Sequence, residues 1–242
     1  KEKTWVFSTW DYTTMYLIEG EDKAVLIDTG TRCADLDKIV GQITGKPLEV
    51  IVTHMHPDHA GCIKYFDKVW MHRADTVLVP QHAADYQGEF LYMEEGQVFD
   101  LGGRKLEVAW MPGHTPGSVV LLDKANGDCY SGDAFGSGEV WLQCVPMSPI
   151  ATFHESCCRM EKLMKEGHIK DIWCGHYPYL KSSLPLAYIQ TMIRISHRLM
   201  NGDQEGSEPY SNYFIKMPPT ARKLAEGRAM IVYDSTNIPE AR

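Results

Sequence analysis

No Cys-x-x-Cys pair occurs among the seven cysteines of this chain, which excludes a zinc ribbon and a thioredoxin-like redox motif. Their odd number and irregular spacing also give no disulfide framework. Adjacent Cys157 and Cys158 fall in an expected helix and cannot readily bridge each other. The expectation is a reducing, cytoplasmic setting, with most thiols acting as small buried hydrophobes. No apolar run approaches the ~18 residues of a membrane span. Basic charge is scarce: 24 Lys and Arg stand against 32 Asp and Glu, a net charge of −8. That balance disfavours a nucleic-acid binder, whose partner demands a basic face. No repeat and no low-complexity linker interrupts the 242 residues, so a single domain over 1–242 is expected. The chain begins at Lys1 rather than Met, which leaves a removed N-terminal segment, and hence export, open. Oligomeric state is not legible.

What is present is a periodic pattern. Thr14–Glu19 and Ala24–Asp28 flank the turn Gly20-Glu21-Asp22 and predict a hairpin. Leu36, Ile39, Val40 and Ile43 predict a helix over 35–43, and Leu48–Thr53 a short strand. Helices are expected over 58–66, 73–86 (interrupted at Pro80), 152–165 and 185–201. Strands are expected at 69–72, 97–100, 105–111, 119–122, 128–131, 169–174 and 229–233, and the polar stretch 202–219 reads as a surface excursion. Hairpins early and intervening helices later argue for an α/β protein of two sheets with helices outside.

One segment outweighs the rest. His54, His56, Asp58 and His59 follow a strand as H-x-H-x-D-H. Random placement gives about one such window per thousand chains of this composition. All four side chains are good ligands for a borderline-soft divalent metal. One turn cannot easily aim all four at one ion, so the reading is two ions side by side, a recurring arrangement for hydrolysis. Three later sites repeat a pattern, each a ligand-type residue in a glycine-containing turn after an expected strand. They are His114 in Pro112–Gly117, Asp133 in Ser131-Gly132-Asp133, and His176 in Gly175-His176. Strand-end loops are where folds place chemistry.

The order H-x-H-x-D-H, G-H-T-P-G-S, S-G-D and G-H, over roughly residues 14 to 180, resembles the metallo-β-lactamase superfamily of binuclear hydrolases. The resemblance implies a four-layer αββα sandwich with the metals at one edge of the facing sheets. It implies that His54, His56 and His114 hold the first metal, that Asp58, His59 and His176 hold the second, and that Asp133 bridges both. It also makes Asp28 a residue that orients ligand histidines from behind. The cofactor expected is a pair of divalent ions, Zn2+ first, with Mn2+ or Fe suiting the same donors. Two features depart from the family. Cys62 follows Ala60-Gly61 where a glycine pair is common, and packing is its expected role. The C-terminal stretch does not clearly match the glutathione-binding helical domain of the glyoxalase II branch.

The activity implied is hydrolysis of a small-molecule ester, thioester or lactone by a metal-bridging hydroxide, with Asp58 aligning the attack and shuttling the proton. Tyr177 and Tyr179, flanking His176, are candidate oxyanion donors. The alternative is a phosphodiesterase or nuclease on the same two-metal site, against which the acidic net charge argues. A bridging carboxylate speaks against β-lactam hydrolysis, the absence of room for a flavodoxin domain against a flavodiiron redox protein, and the full ligand set against a non-catalytic zinc module. The partner expected is a small-molecule substrate, with neither nucleic acid nor membrane. Trp5, Trp10, Phe135 and Trp141 are pocket candidates whose default is core packing. His72, His82, His154, His168 and His197 are taken as ordinary surface or packing histidines.

Overall fold

Side chains on both faces of the central strands are buried, and that dictates layers on either side of each sheet. The structure, a computed structural model, describes residues 2–212 and 216–239, so 213–215 of the turn-rich stretch lie outside it. The first sheet has strands β1 (Thr4–Ser8), β2 (Thr14–Glu19), β3 (Ala24–Ile27), β4 (Leu48–Ile51), β5 (Lys68–His72) and β6 (Glu89–Met93), adjacent in that order. β1 to β3 pair antiparallel, and β3 to β6 run parallel. Helix α1 (Leu36–Gly41) makes the β3–β4 crossover; α2 (Pro57–Ala60) and α3 (Val79–His82) follow β4 and β5. The second sheet takes β7 (Val98–Asp100), β8 (Lys105–Trp110), β9 (Val119–Asp123) and β10 (Asp128–Gly132). The chain then leaves through β11 (Glu139–Trp141) and α4 (Ile150–Lys165), and returns as β12 (Asp171–Cys174), parallel to β10. Helices α5 (Tyr177–Leu180) and α6 (Leu186–Met200) lead to β13 (Glu208–Pro209), β14 (Ala221–Glu226) and β15 (Ala229–Asp234).

The two-residue period of each strand sorts the core. Tyr16, Ile18, Val25 and Ile27 face Leu106, Val108, Val119 and Leu121 across the two sheets. Their neighbours Met15, Leu17, Ala24 and Leu26 point the other way, onto Leu36 and Val40 of α1. On the far side Val120 and Leu122 meet Phe153, Cys157 and Met160 of α4 and Ile189, Met192 and Ile195 of α6. The order is helix, sheet, sheet, helix, the αββα sandwich. Each such Leu, Ile or Val contributes roughly 1.5–3 kcal/mol by leaving water.

The strand β1, the edge strand β6, the short β13, and β11 and β14 were not expected from the sequence. The last two join β13 and β15 in a third, four-stranded sheet, ordered β11-β15-β14-β13. Leu224, Ala229, Ile231 and Tyr233 of that sheet share the core of α4 and α6. The helix expected over 58–66 is shorter: α2 ends at Ala60 and a 3-10 turn covers Ile63–Tyr65. At its end Gly61 lies so close to the backbone oxygens of Pro57 and Gly30 that a Cβ there would collide, so this position needs glycine. Over 73–86, a 3-10 turn (Arg73–Leu78) precedes α3, and Pro80 sits in the first turn of α3 rather than breaking a longer helix. Among the described residues no helix is long and apolar enough to cross a membrane.

Candidate metal centre

The residues singled out by the motifs gather at one end of the two sheets. His54 and His56 lie between β4 and α2, and Asp58 and His59 in α2 itself. His114 comes from the β8–β9 loop, Asp133 directly follows β10, and His176 follows β12. They form two groups, His54, His56 and His114 in one, and Asp58, His59, Asp133 and His176 in the other. Within each, the ligand atoms lie within 4.8 Å of one another. Asp133 Oδ2 joins the groups, 3.2 Å from His176 Nε2, 3.6 Å from His59 Nε2 and 3.9 Å from His114 Nε2. Two glycines permit the approach. Gly132 has a left-handed φ of 47°, and a Cβ there would strike the Thr53 hydroxyl. A Cβ on Gly175 would strike Asp133 Oδ1 and the His59 ring.

The hydrogen bonds behind the rings set which nitrogen faces inward. Asp28, itself in the left-handed region at φ 63°, accepts the Thr53 amide at 2.7 Å and the Thr53 hydroxyl at 3.0 Å. Thr53 Oγ1, having given its proton to Asp28, accepts from His54 Nδ1 at 3.1 Å. His54 Nε2 therefore carries a lone pair. His114 donates from Nδ1 to the Trp141 carbonyl at 2.8 Å, so its Nε2 carries one too. These two lone pairs face each other at 3.2 Å, and His56 Nδ1 stands 2.9 Å from His114 Nε2. The two facing lone pairs repel unless a proton or a metal ion lies between them, and His56 Nδ1 is close enough to share in holding it. His59 follows the same logic, with Nδ1 donating to Asp28 Oδ2 at 2.8 Å and Nε2 turned toward Asp58 and Asp133. His59 Nε2, Asp133 Oδ1 and His176 Nδ1 are buried without a hydrogen-bond partner. Orphaned donors and acceptors of this kind, in a set made only of imidazoles and carboxylates, fit divalent metal.

The two groups differ in charge. Burial, reinforced by the neighbouring rings, holds His54 well below the ordinary histidine range and His56 down at about 3; burial also lowers His114. In the other group burial disfavours charge, but the opposite charges outweigh it. Asp28, Asp58 and Asp133 raise His59, and Asp133 and Asp58 raise His176 to about 10. His59 and His176 in turn hold the carboxyls of Asp58 and Asp133 below their usual range.

Three residues near the centre carried no signal in the sequence. Asp75, fully buried, accepts from the Met55 amide at 2.9 Å, the Thr115 hydroxyl at 2.9 Å and the Gly117 amide at 2.6 Å. It ties the loop of His54 and His56 to the loop of His114. His82, expected to be an ordinary histidine, has its ring 5.9 Å from that of His56. Cys144 lies near the carboxylates, since burial, Asp58 and Asp133 push its thiol up to about 11. Cys62 has the packing role expected of it, 2% exposed and accepting the Cys33 amide. Tyr179 is exposed, with its ring 5.9 Å from His176 and 5.1 Å from Tyr12; the Tyr177 ring lies 6.0 Å from Trp173. Of the tryptophan and phenylalanine candidates, Phe135 and Trp5 pack in cores, Trp10 is exposed beside Arg32, and Trp141 serves the centre through its carbonyl.

Comparison with known proteins places this geometry. A family model described as the metallo-beta-lactamase superfamily matches residues 8–143, more than half of the sequence. The chain belongs to that superfamily. His176 lies beyond the matched segment, and its place beside Asp133 comes from the fold. The chain is 25% identical to the human acyl-coenzyme A thioesterase MBLAC2 over 210 residues, spanning 71% of this chain and 75% of that one. It is 24% identical to a hydroxyacylglutathione hydrolase of Francisella philomiragia over 188 residues, 76% of this chain and 72% of that one. Among solved structures, TTHA1623 in a di-iron-bound form matches with a TM-score of 0.61 and 26% identity, covering 76% of this chain and 95% of that one. Metal-binding hydrolase chemistry of this superfamily is thus the frame for the site.

Proposed function

We propose that the protein is a binuclear metal-dependent thioesterase, which cleaves an acyl thioester to a carboxylic acid and a thiol. The observation that carries this reading is Asp133 Oδ2, within 4 Å of ring nitrogens from both ligand groups. His54, His56 and His114 would hold one ion and Asp58, His59 and His176 the other, with Asp133 within reach of both groups. Bound there, two divalent ions polarise the carbonyl and supply a water acidic enough to attack near neutral pH. Zinc, iron and manganese all suit these donors. Relatives that act on coenzyme A and glutathione thioesters support the leaving group.

The protein's own residues do the rest. Asp58 is the more open of the two carboxylates, its side chain 32% exposed against 15% for Asp133. It faces the approaching substrate, accepts the proton of the attacking water and returns it to the leaving sulfur. Tyr179, exposed beside His176, is the better placed of the two tyrosines to donate to the oxyanion. With Tyr12 it forms an aromatic rim that takes the apolar part of the substrate. The seven unpaired cysteines support a reducing, cytoplasmic setting, and the shared core of the second and third sheets supports one domain.

The test is metal analysis of the purified protein joined to a hydrolysis screen. Two ions per chain and thiol release from acyl thioesters faster than cleavage of lactones or bis(p-nitrophenyl) phosphate are expected. Phosphodiester turnover far above thioester turnover would replace the reading with that of a phosphodiesterase.

A further inference from the structure

Outside this centre a histidine and a cysteine meet on helix α4, with a second histidine across the groove on α6. The two helices run antiparallel, joined by His154 to Ser196 at one level and Glu161 to Gln190 at another. His154 and Cys158 are four residues apart on α4 and so share a face, one turn apart. Cys158 Sγ stands 3.5 Å from His154 Nε2. Across the groove the ring of His197 lies 6.0 Å from that of His154.

The tautomer of His154 follows from its neighbour. Ser196 Oγ gives its single proton to the carbonyls of Met192 and Ile193. In its 2.9 Å contact with His154 Nδ1 the ring nitrogen is therefore the donor. The neutral ring keeps its lone pair on Nε2, the atom that faces the thiol. An anchored far N–H and a free near nitrogen is how metal-binding histidines are held. A tetrahedral zinc, with bonds of about 2.0 Å to nitrogen and about 2.3 Å to sulfur, sets those two atoms about 3.5 Å apart.

From this geometry we infer that His154, Cys158 and His197 form a surface site for one soft divalent transition-metal ion, independent of the hydrolytic centre. His197 is exposed and closes on the ion by side-chain rotation, releasing its contact with Asn201. Water fills the fourth position. The surroundings suit a cation. Burial and the carboxylates of Glu161 and Glu155 push the Cys158 thiol up, which opposes a bare thiolate and a nucleophilic role. That negative field attracts a metal, which itself supplies the charge that ionises the sulfur. Burial and His197 keep His154 below the ordinary range, so it meets the ion as a neutral ligand.

Cobalt(II), titrated into the full chain, is the probe. The seven ligands of the hydrolytic centre are nitrogen and oxygen, so a thiolate-to-cobalt charge-transfer band reports a sulfur site. The band is expected to reach the intensity of one thiolate–cobalt bond per chain, whatever cobalt the hydrolytic centre also takes, and to persist in Cys144→Ser, whose thiol is influenced by the carboxylates of that centre. It is expected to vanish in Cys158→Ser and His154→Ala. His197→Ala, at an exposed position where folding is not in question, weakens the cobalt affinity read from the band by about tenfold or more. A wild-type chain without the band, or a band that survives Cys158→Ser, overturns the inference, as does a His197→Ala titration superimposable on the wild type.

Discussion

The trio of His54, His56 and His114 and the quartet of Asp58, His59, Asp133 and His176 share one pocket but carry different charge. The trio is three imidazoles, His54 and His114 buried and His56 half-buried, whose removal from water, reinforced at His54 and His56 by neighbouring rings, keeps protons away. The quartet is two carboxylates that raise the proton affinity of two imidazoles against the effect of burial. A cation entering the trio displaces nothing. A cation entering the quartet must first displace protons, because a histidine ligates only when its ring nitrogen is bare. Neighbouring sites built from the same residue types thus bind by different thermodynamics. The difference originates in one sequence choice, namely which of the strand-end turns carry aspartate.

Removing the shared carboxylate is the largest test of this contrast. Asp133→Asn should lower metal content below two ions per chain and take thioesterase activity to background. His56→Ala strikes only the trio, and should leave one ion bound with activity also lost. Atomic absorption on dialysed protein, with turnover measured in parallel, checks both. A His56→Ala variant with one metal and wild-type turnover would defeat the two-metal scheme.

The pH dependence separates the two groups next. Neighbouring carboxylates raise His59 and His176, His176 to about 10, so in the metal-free protein protons compete with a metal ion for these rings. Raising the pH toward 10 removes these competing protons and strengthens quartet binding, by up to about tenfold per pH unit for each proton displaced. Trio binding should stay flat above pH 7, where its histidines are already neutral. Calorimetry at pH 7 in buffers of different ionisation enthalpy should show proton release for the quartet ion and none for the trio ion. Equal proton release at both sites would erase the distinction.

Asp75 offers a smaller, one-sided perturbation. It holds the trio loops together and touches no quartet residue. Asp75→Asn replaces an acceptor oxygen with a donor facing the Gly117 or Met55 amide. Trio affinity should fall about 10–100-fold, with quartet affinity and proton release unchanged. A drop of the same size at both sites would mean that Asp75 serves the fold at large.

The ligands were legible in the sequence because each is a metal-binding side chain in a turn that ends a strand, a purely local pattern. Asp28 was legible for the same reason. Asp75, His82 and Cys144 were not, since their roles arise only when loops distant in sequence meet; nothing in Arg73-Ala74-Asp75 predicts a contact with Gly117. The layers were legible from the apolar strand runs and the resemblance together. The third sheet was missed because β13 has two residues and β11 three, too short for alternation to register, and β14, Ala-Arg-Lys-Leu-Ala-Glu, lacks the two-residue alternation of a strand.

The smallest expected effect concerns the joint between the two groups. Asp28 Oδ2 accepts from His59, a quartet ligand, and from the Thr53 hydroxyl, which in turn accepts from His54, a trio ligand. Thr53 is the only side chain in that relay without a charge to lose. Thr53→Val keeps the β-branched shape and deletes the oxygen, which leaves His54 Nδ1 without its acceptor and His59 with its own. A buried hydrogen bond of this kind is worth about 1 kcal/mol, or about fivefold in trio affinity. The quartet should bind as before, with its proton release intact. Should Thr53→Val weaken both sites equally, the relay through Asp28 couples them, and trio and quartet are one cooperative centre rather than two sites with separate chemistry.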